Sequence, residues 1–164
     1  MAPAGLTIVI VREDLLGEPI GVHPHHVQLQ AMAENDSMYN TPPCWPIYIC
    51  KLVLEWIKND IGGLEKMEER NVRKAQLLYD FLDSSSLFKG CADKADRSIM
   101  NVTFVTGDKD LDAKFVKESA DAGFVNLKGH RSVGGMRASI YNAMPEEGVA
   151  KLVEFMKKFE MENK

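Results

Sequence analysis

Apolar and polar positions along the chain change rhythm several times. Leu6-Thr7-Ile8-Val9-Ile10-Val11 is an unbroken, largely β-branched run, entered from Pro3-Ala4-Gly5 and closed by Arg12-Glu13-Asp14. Such a run predicts a strand buried on both faces, as in a parallel sheet. A strand of that kind needs neighbours on each side, so the sequence reads as one that opens in the middle of a sheet. Residues 17–43 show no clear period and carry Gly17, Pro19, Gly21, Pro24, Asn35-Asp36-Ser37 and Asn40-Thr41-Pro42-Pro43. A loop this long is functional or belongs to a larger assembly.

From Ile47 the period becomes helical, with Ile47, Cys50, Val53, Leu54 and Ile57 at i, i+3, i+4 spacing. Gly62-Gly63 weakens or bends this element. Leu64, Met67, Val72, Ala75, Leu78, Tyr79 and Leu82 continue it, so one long bent helix or two helices fit, ended by Ser84-Ser85-Ser86. A polar link leads to residue 98. Met100 to Val105 then alternates as a half-buried strand. Leu111 to Ala122 reads as a helix with Phe115, Val116 and Ala120 on its apolar face and Gly123 as its stop. Val125 to Lys128 and Met136 to Tyr141 read as short strands, the second after a turn at Gly134-Gly135. Pro145 suits the first position of a last helix, with Glu146 and Glu147 favourable to its dipole. Val149, Leu152, Val153, Met156 and Phe159 form that helix's inner face. The fold class expected is α/β, with an α+β unit at the C-terminal end.

Composition narrows what such a chain does. Of 164 residues, 45% are apolar and 27% charged, which reads as a globular chain of about one domain. Twenty basic residues stand against 24 acidic ones, a net charge of −4. No overall field favours nucleic acid or an anionic membrane, so an anion site must be a local patch. No apolar run approaches the length of a membrane span. Cys44, Cys50 and Cys91 make neither a disulfide framework nor a CxxC zinc pair.

Local chemistry concentrates in Lys128-Gly129-His130-Arg131-Ser132-Val133-Gly134-Gly135-Met136-Arg137. Three cations stand there with no acid, in a chain that is acidic overall. The glycines let the backbone turn and expose N–H groups, and an arginine grips a carboxylate or phosphate with a bidentate fork. A solvated basic hairpin fits the same spacing. At Asn40-Thr41-Pro42-Pro43 an amide and a hydroxyl adjoin a helix start, a setting that suits a phosphate and equally a plain helix cap. His23, His25 and His26 lack a carboxylate or cysteine to complete a metal set and read as surface loop. Cys44, Cys50, Trp45, Trp56, Met136 and Met144 read as packing residues.

Three runs taken together are more specific. Residues 3–14, then Tyr39-Asn40-Thr41-Pro42-Pro43, then the segment Gly129 to Ala143 resemble the phosphoserine aminotransferases, in order and in spacing. The resemblance covers essentially the whole chain. It implies the C-terminal part of a fold-type I transferase that uses pyridoxal 5′-phosphate. Residues 1–43 would be a remnant of the large cofactor domain, 44–97 an interdomain helical segment, and 98–164 a three-layer small domain. It implies amino exchange between glutamate and 3-phosphohydroxypyruvate, giving phosphoserine and 2-oxoglutarate in serine biosynthesis. It further implies a cytoplasmic homodimer, or an organellar one if a transit peptide lies upstream. By position, Asn40 and Thr41 match residues that bind the cofactor phosphate across the dimer interface. Arg137 matches the arginine for the substrate carboxylate, and His130 and Arg131 match residues for the substrate phosphate. Neither a metal ligand nor a catalytic residue is carried over. The family's Schiff-base lysine lies just before the Gly-Pro-Ala-Gly turn, where this sequence begins with Met1-Ala2, and neither Lys51 nor Lys58 matches it. The chain alone is therefore expected to be inactive. The alternative is a non-catalytic truncated paralogue that associates with a full-length partner through the inherited dimer surface.

Overall fold

The computed structural model describes residues 4–16, 29–131 and 134–163. The chain divides into two compact units, Met1–Asp60 and Ile61–Lys164. His23, His25 and His26 lie outside the described residues.

In the first unit, residues 6–11 are not a strand. Ile8, Val9 and Ile10 are 68%, 57% and 96% exposed, because no described strand lies beside them to take their backbone hydrogen bonds. A short 3₁₀ turn follows at Glu13–Leu15. The long loop is also interrupted: Leu29–Glu34 forms a helix, α1, which the irregular polar pattern around it concealed. Asp36 and Ser37 then turn the chain at positive φ. Helix α2 spans Cys44–Trp56, starting three residues before Ile47. Its first turn leaves Cys44 and Trp45 exposed, so neither packs as the sequence suggested, while Cys50 and Trp56 are half-buried.

The two-helix alternative at the glycine pair is the one that forms. A π-turn at Ile57–Ile61 ends in Gly62 and Gly63 at φ 95° and 109°, a region costly to residues with a Cβ. Helix α3 then runs Leu64–Ser84. The polar link hides strand β1, Lys89–Gly90, and a 3₁₀ turn at Lys94–Asp96. Strand β2 is Asn101–Val105, α4 is Lys109–Asp121, β3 is Met136–Ser139 and α5 is Glu146–Glu162. The strands form one antiparallel sheet in the order β1-β2-β3, with Val102 opposite Ala138 and Thr103 opposite Arg137. Val125–Lys128 is not a strand. Asn126 sits at φ 62° and only Lys128 bridges to Met136. Pro145 is the cap of α5 with extended backbone, one residue before the helix begins.

Burial in β2 and β3 alternates strictly, so Val102, Phe104, Met136 and Ala138 share one covered face. Of the three layers expected, the described residues give the sheet and the helices on that face. Phe88, Phe104, Phe115 and Phe159 meet there with ring centroids 5.1–6.0 Å apart, the tilted and edge-on geometry that aromatic quadrupoles favour. Met136 fills the same core, whereas Met144 is 38% exposed.

Two polar ties hold the helices to the turns around them. Lys74 of α3 is fully buried, and its Nζ donates to the carbonyls of Ile140 (3.0 Å), Tyr141 (2.7 Å) and Met144 (3.1 Å). At the far end, Glu160 of α5 accepts from the Ser85 hydroxyl and from both the N–H and the hydroxyl of Ser86. The chain leaving α3 is thereby pinned to α5. On the surface, Arg97 bonds both oxygens of Asp83 and stacks over the Tyr79 ring at 4.4 Å. Those hydrogen bonds, with one from Lys94, hold the Asp83 carboxyl well below the usual range.

Candidate functional site

On either side of residues 132–133 the basic segment returns onto the sheet. Gly129 N–H donates to the Gly135 carbonyl, Gly134 N–H to the His130 carbonyl and Arg137 N–H to the Leu127 carbonyl, at 2.7–2.8 Å. The two glycines at its base are sterically required. A Cβ on Gly129 would sit 2.1 Å from the Gly134 carbonyl oxygen. One on Gly135, whose φ is 63°, would sit 2.6 Å from Val105 Cγ1 and 2.9 Å from the Phe104 oxygen. Gly135→Ala is therefore expected to destabilise the unit by about 1–3 kcal/mol through overpacking and strain. A urea-unfolding midpoint equal to wild type would show that β2 yields instead.

This return builds a cavity of about 670 Å³ lined by Val105, Lys109, Asp112, Lys128, His130 and Arg131, among others. His130 and Arg131 thus share a hollow, as their adjacency suggested. Lys109 and Asp112 come from the first turn of α4, about twenty residues earlier, and no local sequence signal linked them to the basic segment. Asp112 Oδ1 is already engaged by the N–H and hydroxyl of Thr106, both at 2.8 Å. Asp108 caps α4, accepting from the N–H groups of Asp110 and Leu111.

Arg137 is separate from this cavity. It lies on β3, with the half-buried residues Asn101, Thr103 and Ser139 on the face opposite the core. Its guanidinium Nε is buried and has no hydrogen-bond partner among the described residues. A buried guanidinium N–H without an acceptor is costly, and an anion supplied from outside would relieve it. The basic segment therefore presents two cationic places, His130 with Arg131 in the cavity and Arg137 on the sheet, which suits a ligand with two separated anionic groups.

In the first unit, Asn40 and Thr41 are exposed. Neither side chain makes a hydrogen bond among the described residues. They stand just before Pro43, the cap of α2, which offers no side-chain capping bond. An amide and a hydroxyl are groups that fit a phosphate, while the start of α2 adds only the Trp45 N–H, since Cys44 N–H donates to the Pro42 carbonyl and Pro46 has none. Among the described residues no cluster of His, Cys, Asp and Glu could hold a metal ion, and no helix is long and apolar enough to cross a membrane.

Comparison with known proteins agrees along the whole chain. It is 55% identical to the phosphoserine aminotransferase of Streptococcus thermophilus, over all of this chain and 45% of that protein. It is 51% identical to the one from Bacillus cereus over the same shares. Among solved structures, the phosphoserine aminotransferase from Bacillus circulans subsp. alkalophilus superposes with a TM-score of 0.87 at 46% identity, covering 94% of this chain and 43% of that one. A pyridoxal-phosphate-bound phosphoserine aminotransferase from Trichomonas vaginalis does so at 0.83 and 39%, covering 90% and 42%. The chain thus spans about 45% of the length of the relatives it matches. The family model for Aminotransferase class-V matches residues 1–152, and the chain belongs to the class-V aminotransferase family.

Proposed function

We propose that this chain supplies the substrate-anion end of a pyridoxal-phosphate-dependent phosphoserine aminotransferase. The enzyme exchanges an amino group between glutamate and 3-phosphohydroxypyruvate, as a cytoplasmic homodimer. The observation that carries the reading is the buried Nε of Arg137, without a partner among the described residues, on a strand adjoining a separate cationic cavity. Arg137 binds the α-carboxylate that both substrates carry. His130 and Arg131 bind the phosphate. Residues 1–43 belong to the large domain, 44–97 to the interdomain segment and 98–164 to the small domain. Asn40 and Thr41 hold the cofactor's phosphate with their amide and hydroxyl. When bound, the cofactor supplies an electron sink for breaking the bond to the amino-bearing carbon. The residues of this chain orient the substrate against it by holding its two charged ends. No residue here matches the family's cofactor-binding lysine.

The pure 164-residue chain is expected to give no amino transfer from glutamate in a coupled assay. Adding the complementary N-terminal part of a relative is expected to restore it. Turnover by the chain alone, or none after the two parts demonstrably associate, would overturn the reading.

A second reading, association with a full-length relative without catalysis, is favoured by the exposed Ile8 and Ile10 and by the apolar hollow that Leu6, Ile8, Ile47 and Leu54 line. It requires co-elution of the two chains on size exclusion.

A further inference from the structure

The cavity beside β2 holds more positive charge than His130 and Arg131 alone provide. Lys109, the first residue of α4, and Lys128 line the same hollow. Lys109, Lys128 and Arg131 enter no ion pair among the described residues. Among the described residues of the lining Asp112 is the one carboxylate, with Thr106 on its Oδ1; Asp108 and Asp110 flank Lys109 outside the lining. Leaving the imidazole out, three cations face one carboxylate, a net charge of +2.

That count discriminates between ligands. A carboxylate brings one negative charge, whereas a phosphomonoester brings about 1.5 to 2 at pH 7. Lysine serves this purpose as a mobile point charge that acts without a fixed fork.

We infer that Lys109 and Lys128 are specificity-determining residues, which tune this cavity to a dianionic phosphate over a monoanionic carboxylate. The inference rests on the phosphate reading of His130 and Arg131. It adds a division of labour in which Arg131 and His130 grip and the two lysines select by charge.

The test is a titration of the 164-residue chain with inorganic phosphate and, separately, acetate at pH 7.5, following the amide NMR signals of Gly129, Gly134 and Gly135. K109Q and K128Q are each expected to weaken phosphate binding by about threefold or more and to leave acetate binding within about twofold. In the double variant the phosphate-to-acetate preference is expected to fall about tenfold. Both lysines are exposed, so the variants should keep the wild-type circular dichroism. An unchanged preference in the double variant, while H130N and R131Q still weaken phosphate, overturns the inference and leaves the phosphate reading standing. If H130N and R131Q also change nothing, or the wild-type chain shows no saturable phosphate shift, both fall together.

Discussion

Lys74→Met is expected to lower the stability of the 61–164 unit by about 3 kcal/mol. The side chain is fully buried, yet its ammonium is satisfied, with three N–H donors meeting the carbonyls of Ile140, Tyr141 and Met144. Methionine fills similar space and donates nothing. The three carbonyls close the connection between β3 and α5, and that of Tyr141 also accepts the Met144 N–H at 2.9 Å. Asn71, one turn earlier on α3, adds a bond from its amide to the Asn142 side chain at 2.8 Å, so Asn71→Ala should cost less, about 1 kcal/mol. Burial, then the neighbouring Arg70 charge, lowers the Lys74 pKa from 10.5, against the pull of Glu146. The unfolded chain therefore binds more protons than the folded one as pH approaches 10.5, and stability rises with pH across that window. Lys74→Met should remove this rise as well as lower the melting temperature, by on the order of 10 °C. A variant that melts with wild type at every pH would show that the turn carbonyls find other donors.

This lysine also marks where the sequence could and could not be read. The inner face of α5 was legible residue by residue. Val149, Leu152, Val153, Met156 and Phe159 are all buried, because a 3.6-residue period on an amphipathic helix leaves one solution. Phe115 and the alternation of β2 were legible for the same reason. On α3, positions 67, 71, 74, 78 and 82 face inward, and two of them are polar. A lysine in an apolar register is a signal, but its partners come from a turn some seventy residues later, which no local pattern reveals.

The runs that depart from their pattern share a physical cause. Leu6–Val11 and Val125–Lys128 carry strand-forming side chains, but a strand needs hydrogen-bonding neighbours. The first run has none among the described residues, and the second is turned aside at Asn126. β1 was hidden because two residues, Lys89 and Gly90, suffice to pair with Val105 and Phe104. At the site, the cations were visible as a cluster, but their roles came from the resemblance. Spacing alone did not divide Arg137 from His130 and Arg131. Strand geometry does so, by setting Arg137 on the sheet and leaving the other two in the loop.

That division sets the largest effect expected on catalysis. In enzyme restored with the complementary part, Arg137→Ala should lower kcat/KM about 100-fold, the scale of truncating one side of a buried, hydrogen-bonded charge pair. Arg137→Lys should recover only a small part. It keeps the charge but loses the planar fork and the Nε donor that is buried without a partner among the described residues. On the proposed function, the two anion sites can then be told apart by substrate. Glutamate and 3-phosphohydroxypyruvate both carry an α-carboxylate, so Arg137→Ala should depress the two half-reactions by similar factors when each is measured separately. Arg131→Gln should depress the phosphorylated substrate more, since a phosphate carries up to twice the charge of glutamate's distal carboxylate and draws more from each cation in the cavity. Equal losses with Arg131→Gln, or a loss with Arg137→Ala confined to the phosphorylated substrate, would exchange the roles given to the strand and the loop. The strand's backbone pairing with Thr103 and Leu127 does not depend on the Arg137 side chain. An Arg137 variant that keeps its fold but loses both half-reactions therefore points to the guanidinium itself.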